Sequence, residues 1–235
     1  MEWKPKPLAE KLKIKALQNN IGVPFEIANL LVQRGIEDFD SAKSFFRPDI
    51  TDLHNPYLML GMESAVERIS VAIANQEKIM VYGDYDVDGT SSVALVFSYL
   101  TSFYPHCSFY IPDRYEEGYG ISKKGIEHAK KEGIRLVIAL DCGINALVNV
   151  AYAEKMGIDF IICDHHLPGA QTPDAVAVLN PKQNNCKYPF KDLCGCGIGF
   201  KLIQALTQHR GLPFETTLNY IDLVAMAIAA DIVPI

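Results

Sequence analysis

Three carboxylates alternate along one short stretch of the chain, namely Asp84, Asp86 and Asp88. An apolar run, 79–82, precedes them, and apolar residues at helical spacing follow within 90–102, which predicts a strand, a turn and a helix. Open α/β sheets bind ligands at the carboxyl ends of their strands, where these side chains would lie. So many negative charges need a counter-charge, so the stretch predicts a divalent metal site.

Further acidic and histidine residues follow other apolar runs. Asp141 follows 136–140, the sequence Asp164-His165-His166 follows 160–163, and Asp231 ends the last apolar helical pattern. An aspartate at a strand end is often only a turn residue or a helix cap. Asp-His-His after a strand, in a chain that already contains Asp-x-Asp-x-Asp, instead favours one shared acidic site at one edge of the sheet.

The residue types of this set indicate the metal and its chemistry. Carboxylates with one or two imidazoles suit Mn²⁺ or Mg²⁺ better than zinc. Two such ions about 3.5–4 Å apart share a carboxylate and stabilise the attacking and leaving oxygens of a phosphoryl displacement. The sequence therefore predicts phosphoester hydrolysis with two divalent ions.

Two other motifs begin in the same way. An EF-hand loop starting at Asp84 would need a glutamate at its twelfth position, where Leu95 stands, and a helix before it. That interpretation fails. In phosphatases of the haloacid-dehalogenase type, Asp86 would be the phosphorylated nucleophile and Asp88 the acid/base. Asp164 matches that family's later acidic pair poorly, and this interpretation stays open as a distant alternative.

Cysteines suggest one further metal site. Cys194 and Cys196, with Cys186 upstream, resemble part of a zinc site. A fourth ligand is missing, and the spacing fits no common structural zinc site. Thiols in the core or in a loop are the favoured interpretation.

The elements that must position these side chains alternate between strand and helix. Apolar runs occur at 79–82, 109–111, 136–140, 160–163 and 175–179, with helical patterns at 90–102, 122–131 and 147–156. This order predicts an α/β domain, 76–235, with a five-stranded, mainly parallel sheet and helices on both faces. Residues 1–75 are predicted to form a small helical segment before it. Within that segment we expect Asp40 to cap a short helix that buries Phe45 and Phe46.

Composition sets the remaining limits. The 235 residues are 49% hydrophobic and 21% charged, as in a globular protein. No apolar run reaches membrane-spanning length and no signal-peptide core is present, so the six cysteines predict reduced thiols in a cytoplasmic protein. The net charge of −6 gives no support for nucleic-acid binding, although bound cations would offset part of it.

Four motifs together resemble those of the DHH phosphoesterase superfamily: 83–89, 141–143, 164–166 and 230–234. Within that superfamily the chain is most similar to the RecJ family of single-strand-specific DNA exonucleases. Supporting segments are 30–35, 45–48, 65–68, 111–120, 178–181 and 193–201. The resemblance runs from about residue 25 to the last residue and implies a DHH phosphoesterase domain.

The resemblance also implies roles for the acidic and histidine residues. Asp86 binds one metal ion, Asp88 binds the other, and Asp141 bridges the two as a catalytic ligand. His165 and Asp231 complete the shell of the second ion. Asp84 either ligates a metal or orients a ligand.

Two further residues are implied in substrate handling. His166 contacts the scissile phosphate or holds the site together, and Arg114 contacts phosphate, since a guanidinium group matches phosphate bidentately. The chain departs from the RecJ pattern in two places. Residues 227–230 stand where Gly-Thr is usual, and Cys194 and Cys196 replace small or aliphatic residues.

The implied function is a 5′-to-3′ exonuclease that is specific for single-stranded DNA, acts in DNA repair and recombination, and releases 5′-mononucleotides with Mn²⁺ or Mg²⁺. The alternative is a hydrolase of small phosphoesters such as nanoRNA, cyclic dinucleotides, bisphosphorylated nucleotides or pyrophosphate. A third hypothesis is a non-catalytic metal-binding scaffold. A helicase or a single-strand-binding protein is a candidate partner.

Because the family continues into a substrate-binding domain and an oligonucleotide-binding barrel, we expect this chain to be a piece of a longer protein with little activity by itself.

Overall fold

Five short apolar stretches form one parallel sheet: β1 (Lys78–Gly83), β2 (Cys107–Tyr110), β3 (Ile134–Leu140), β4 (Asp159–Cys163) and β5 (Ala177–Leu179). The computed structural model, which describes residue 2 and residues 4–234, places them in the order β2-β1-β3-β4-β5. Every neighbouring pair is parallel. The chain leaves β1 toward one side for β2 and returns to the other side for β3, so the order reverses there. Ligands bind at such a switch point.

Helices of the second unit cover both faces of this sheet: α4 (Met62–Ala74), α5 (Val87–Thr101), α6 (Lys123–Glu132), α7 (Leu147–Lys155), α8 (Gly195–His209) and α9 (Ile221–Asp231). Side chains alternate along β1, so that Ile79 and Val81 belong to one buried cluster and Met80 and Tyr82 to another. The first cluster includes residues of α4, α5 and α8, and the second includes residues of α6 and α7. The predicted α/β class with helices on both faces is confirmed.

Contacts divide the chain into two compact units, Met1–His54 and Asn55–Ile235. Helix Met62–Ala74 belongs to the second unit because it packs against β3, β5 and α8. The division into domains at residue 75 stays a prediction. In the part of the chain that the structure describes, no helix has the length and apolar character that crossing a bilayer requires.

The first unit contains three short helices: α1 (Lys11–Ile21), α2 (Phe25–Val32) and α3 (Phe39–Phe46). Asp38, not Asp40, caps α3, because Asp38 has the extended backbone of a cap and accepts the Ser41 N–H at 2.8 Å. Phe45 and Phe46 are 46% and 56% exposed, so the expectation that they are buried was wrong. Their rings pack edge to face on each other instead, with centroids 5.2 Å apart.

Candidate metal centre

The turn between β1 and α5 places three aspartates in three different environments. Asp86 is exposed and caps α5, since its Oδ1 accepts the Gly89 N–H at 2.8 Å. Asp84 and Asp88 are buried. A Cβ at residue 89 would lie 2.5 Å from the carbonyl oxygen of Asp84, so this close turn requires glycine.

Asp88 joins α5 to the start of α8. Its carboxylate accepts the backbone N–H groups of Gly195 at 2.6 Å and Cys196 at 2.7 Å. The positive end of a helix dipole favours a carboxylate at this position. The structure gives no support for a zinc site at the cysteines. The sulfur of Cys194 accepts the Gly197 N–H at 3.3 Å and so caps α8.

Two backbone hydrogen bonds extend the sheet past the ends of β3 and β4. The Asp141 N–H donates to the Cys163 carbonyl at 2.8 Å, and the Asp164 N–H donates to the Leu179 carbonyl at 3.0 Å. Asp141 has a left-handed backbone with φ of +58°, a conformation that aspartate tolerates better than most residues. The carboxylates that follow the two strands therefore lie at the same edge.

His165 lies at the centre of the cluster that results. Its Nε2 atom is 3.2 Å from Asp141 Oδ1, 3.7 Å from Asp231 Oδ2 and 3.8 Å from Asp88 Oδ2. Ligand atoms of two overlapping trios lie within 4.8 Å of one another: Asp141 with His165 and His166, and Asp88 with His165 and Asp231. Residues from four distant parts of the sequence meet here, as the sequence predicted.

Asp84 and Asp86 lie outside both trios. The charge of Asp86 nevertheless raises the pKa of Asp141, so Asp86 is near enough to act on the cluster. Asp84 is buried, and burial raises its pKa, which disfavours its charged form. The assignment of either residue as a ligand remains a prediction.

Several buried polar atoms at this site have no hydrogen-bond partner among the described residues: Asp84 Oδ1, Asp141 Oδ1 and both ring nitrogens of His165. Buried polar groups are almost always paired, since leaving one unpaired costs free energy. Burial, and then the charges of Asp88 and Asp86, raise the pKa of Asp141. Burial also raises the pKa of Asp88. The carboxylates repel one another, and the carboxylate and imidazole atoms named above lack partners. Such a set of ligand atoms fits a hard divalent cation.

His166 is held by a carboxylate that sequence reasoning assigned no role. Asp164 Oδ1 accepts the His166 Nδ1–H at 2.7 Å and its backbone N–H at 3.1 Å, and Asp164 Oδ2 accepts the Ile144 N–H at 2.8 Å. Burial alone would raise the pKa of Asp164, but these hydrogen bonds hold it below its usual range. The same contact raises the pKa of His166. The i, i+2 spacing of Asp164 and His166 is the signal that would have indicated this pair.

Tyr119 was also missed. Its hydroxyl donates to the Asp141 carbonyl at 3.2 Å, and its oxygen lies 3.3 Å from the His166 ring nitrogens. Tyr119 comes from the loop after β2. Segment 111–120, which contains it, supports the resemblance to RecJ, but no pattern in the sequence places this side chain near β3 or β4.

Arg114 lies in the same loop, and its guanidinium group stacks 4.7 Å from the ring centroid of Tyr85. Tyr85 stands between Asp84 and Asp86 in the acidic turn. The predicted phosphate-contacting side chain therefore lies beside this turn, although its role is still a prediction.

A sequence profile of the DHH family, N-terminal domain, matches residues 78–228. The chain belongs to the DHH family. The matched range contains every predicted site residue except Asp231.

Among relatives in the DHH family, the single-stranded-DNA-specific exonuclease RecJ of Bacillus subtilis is 42% identical over 223 residues. That alignment covers 95% of this chain and 28% of the relative. RecJ of Escherichia coli is 36% identical over 74% of this chain and 32% of its own length. The chain thus spans about a third or less of these relatives.

Solved structures of RecJ proteins share the fold of this chain. A crystal structure of exonuclease RecJ bound to manganese is 30% identical, with a TM-score of 0.68 over 75% of this chain and 44% of that one. RecJ of Thermus thermophilus in complex with Mn²⁺ is 25% identical, with a TM-score of 0.77 over 97% of this chain and 31% of that one. The resemblance inferred from the four motifs is confirmed.

Proposed function

We propose that this chain is the metal-binding part of a 5′-to-3′ exonuclease that is specific for single-stranded DNA and uses Mn²⁺ or Mg²⁺. The observation that carries the proposal is that Asp88, Asp141, His165 and Asp231 meet at the edge of the sheet. There, Asp141 Oδ1 and both ring nitrogens of His165 are buried without hydrogen-bond partners among the described residues. The names of the relatives, RecJ exonucleases, support the substrate class. The RecJ structures that contain manganese support the choice of metal.

The second ion would be held by four side chains, Asp88, Asp141, His165 and Asp231. Asp141 would bridge this ion to the one at Asp86, because its Oδ1 has no hydrogen-bond partner, and because the charge of Asp86, after burial and the charge of Asp88, raises the pKa of Asp141. Only Oδ1 of Asp86 is used in capping α5, which leaves its second oxygen for a cation. When bound, the two ions would activate water and stabilise the charge that develops on the phosphate.

The chain's own residues would bind and orient the substrate. Asp164 holds the His166 ring by Nδ1 and favours its protonated form, so the half-exposed ring would donate a hydrogen bond to a phosphate oxygen. Arg114 would bind a neighbouring phosphate with its two parallel N–H donors. Tyr119 would hold the His166 ring and the Asp141 backbone in register.

The experiment that tests this function compares a long 5′-phosphorylated single strand with a dinucleotide as substrates of the full-length protein. We expect Mn²⁺-dependent release of 5′-mononucleotides from the long strand and loss of that activity in Asp141→Ala. If Asp141→Ala keeps Mn²⁺-dependent cleavage, the assignment of the centre is refuted. If the dinucleotide is cleaved and the long strand is not, the small-phosphoester alternative replaces the exonuclease.

Partners and location follow from the same proposal. A helicase or a single-strand-binding protein would supply single strands to such an enzyme. All six cysteines are unpaired thiols, as expected if the reaction takes place in the cytoplasm. Co-purification from cells that express the tagged full-length protein would test both partners.

A further inference from the structure

A cleft of about 350 Å³ opens beside His166, on the α7 side of the candidate metal centre. Its main lining residues are Tyr119, Ile121, Ile144, Asn145, Asn149 and His166. This volume lies within the range of about 300–1,000 Å³ that is usual for small-ligand sites. The buried Asp164, which holds the His166 ring, also lines the cleft. Apart from Asp164, His166 and Tyr119, none of the lining side chains takes part in the metal centre.

Hydrogen bonds between neighbouring loops fix the walls of the cleft. Asn145 Oδ1 accepts the Gly169 N–H at 2.9 Å, and the Asn149 amide donates to the Ile121 carbonyl. Behind the loop, the Tyr82 hydroxyl donates to the Gly120 carbonyl at 2.8 Å. A site with walls fixed in this way loses little conformational entropy when a ligand binds.

The lining favours a flat, uncharged ring over a phosphate group. Ile121 and Ile144 are buried and apolar, while Tyr119 is half exposed and offers an aromatic surface. Among the described residues that line the cleft, none is a lysine or an arginine. The side chains proposed to bind phosphate are His166, which also lines the cleft, and Arg114, which does not line it and lies beside the acidic turn.

We propose that the cleft holds the base of the 5′-terminal nucleotide, whose phosphodiester bond lies at the metal centre. The proposal rests on the exonuclease function proposed above and adds the position of the leaving nucleotide to it. The base stacks on Tyr119 and packs against the two isoleucines. One N–H of each side-chain amide of Asn145 and Asn149 donates to a backbone carbonyl, which fixes both side chains in the wall of the cleft. Stacking on Tyr119 accepts any base, because every base has a π face.

Two substitutions in one helical turn test this proposal. Ala146→Phe places a ring into the cleft, because Ala146 lines it at the start of α7. Val148→Phe adds the same ring outside the cleft, since Val148 is 81% exposed and does not line it.

The probes are dAMP and 2-deoxyribose 5-phosphate, which differ only in the base, and their affinities for the chain are measured with and without Mn²⁺.

We expect the unaltered chain and Val148→Phe to bind dAMP at least about tenfold more tightly than the sugar phosphate, as base stacking on an aromatic ring implies. In Ala146→Phe this preference should disappear. Equal binding of the two probes by the unaltered chain overturns the proposal, as does a preference that survives in Ala146→Phe. The absence of detectable binding of dAMP to the unaltered chain also overturns it.

A second measurement does not depend on the folding of a variant. Photo-crosslinking of the unaltered chain with 8-azido-dAMP should label residues 119–121 or 144–149, and labelling confined to other residues contradicts the proposal. Because the walls are already formed, the base preference is expected with or without metal. A chain that shows the preference but binds no Mn²⁺ therefore counts against the proposed function and not against the base site.

Discussion

At the scale of single residues, Asp141 combines a left-handed backbone with a buried carboxylate that has no hydrogen-bond partner on Oδ1. A left-handed non-glycine residue costs on the order of 1–3 kcal/mol. Burial and two neighbouring carboxylates add an electrostatic cost, as the raised pKa of Asp141 indicates. Such costs persist where surrounding structure or a ligand offsets them, which is why we assign Asp141 to the metal centre.

The raised pKa of Asp141 predicts how the stability of the metal-free chain depends on pH. Between about pH 5 and 8 the unfolded chain has lost this proton while the folded chain retains it. The free energy of unfolding should therefore fall as pH rises, by up to about 1.4 kcal/mol per pH unit. Urea unfolding in the presence of EDTA measures this slope.

Asp141→Asn should flatten that slope and raise the metal-free melting temperature, by roughly 2–4 °C for each kcal/mol regained. The matched control is Asp174→Asn, because Asp174 is exposed and lies outside the metal centre, so it should change the slope little. An unchanged slope in Asp141→Asn would show that the burial of this charge costs nothing.

Tyr119 gives a second prediction at this scale. Tyr119→Phe removes one hydroxyl that contacts Asp141 and His166, and the loss of about one hydrogen bond predicts a roughly 2- to 10-fold lower kcat in the full-length protein. Mn²⁺ affinity should be nearly unchanged, because the hydroxyl contacts the Asp141 backbone and not its carboxylate.

Tyr115→Phe is the control in the same loop, since Tyr115 is 94% exposed. Equal kcat values for Tyr119→Phe and Tyr115→Phe would contradict the role of Tyr119 in holding His166 and the Asp141 backbone.

At the scale of elements, the start of α8 lies against the end of β3. A Cβ at residue 195 would lie 2.6 Å from the Cβ of Asp141, whereas one at residue 197 would meet the Leu193 side chain at 3.3 Å and Cys194 Sγ at 3.7 Å. Gly195→Ala must therefore separate α8 from β3 and loosen the hydrogen bonds to Asp88. We expect at least about tenfold weaker Mn²⁺ binding, equal to about 1.4 kcal/mol.

Gly197→Ala should keep its Mn²⁺ affinity and gain stability, because alanine is favoured over glycine inside a helix by up to about 1 kcal/mol. Isothermal titration with Mn²⁺ compares the two variants. If both bind Mn²⁺ as the unaltered chain does, the contact between α8 and β3 does not position Asp88.

The sequence predicted this edge of the sheet well because strand ends are local features. Asp141 and the run from Asp164 to His166 follow apolar runs directly, and parallel strands bring such ends together. The contact of Asp88 with α8 could not be predicted, because it depends on the packing of two helices 107 residues apart in the chain. The cap at Asp38 was missed for a local reason, since two aspartates two positions apart offered equivalent cap signals.

At the scale of the whole molecule, charge limits how the chain meets nucleic acid. It carries 22 Lys and Arg against 28 Asp and Glu, a net charge of −6. Few phosphates can be neutralised by such a surface, and each neutralised phosphate steepens the salt dependence of binding to single strands by about 0.7. We expect weak binding of single-stranded DNA by this chain, with a shallow salt slope, and tighter binding when Mn²⁺ is present.

Fluorescence anisotropy with a labelled oligonucleotide over a series of KCl concentrations measures this slope. The reference is the same series in a metal-free buffer that contains EDTA. A steep slope without metal would mean that a basic surface, and not the metal centre, dominates DNA binding.

The central claim is that carboxylates and an imidazole from distant parts of the chain bind a pair of divalent ions. Anomalous scattering from crystals soaked in Mn²⁺ tests it most directly. We expect two neighbouring manganese peaks at the carboxyl edge of the sheet, within bonding distance of the side chains of Asp88, Asp141, His165 and Asp231. Manganese that binds only elsewhere, with this cluster left empty, would contradict it.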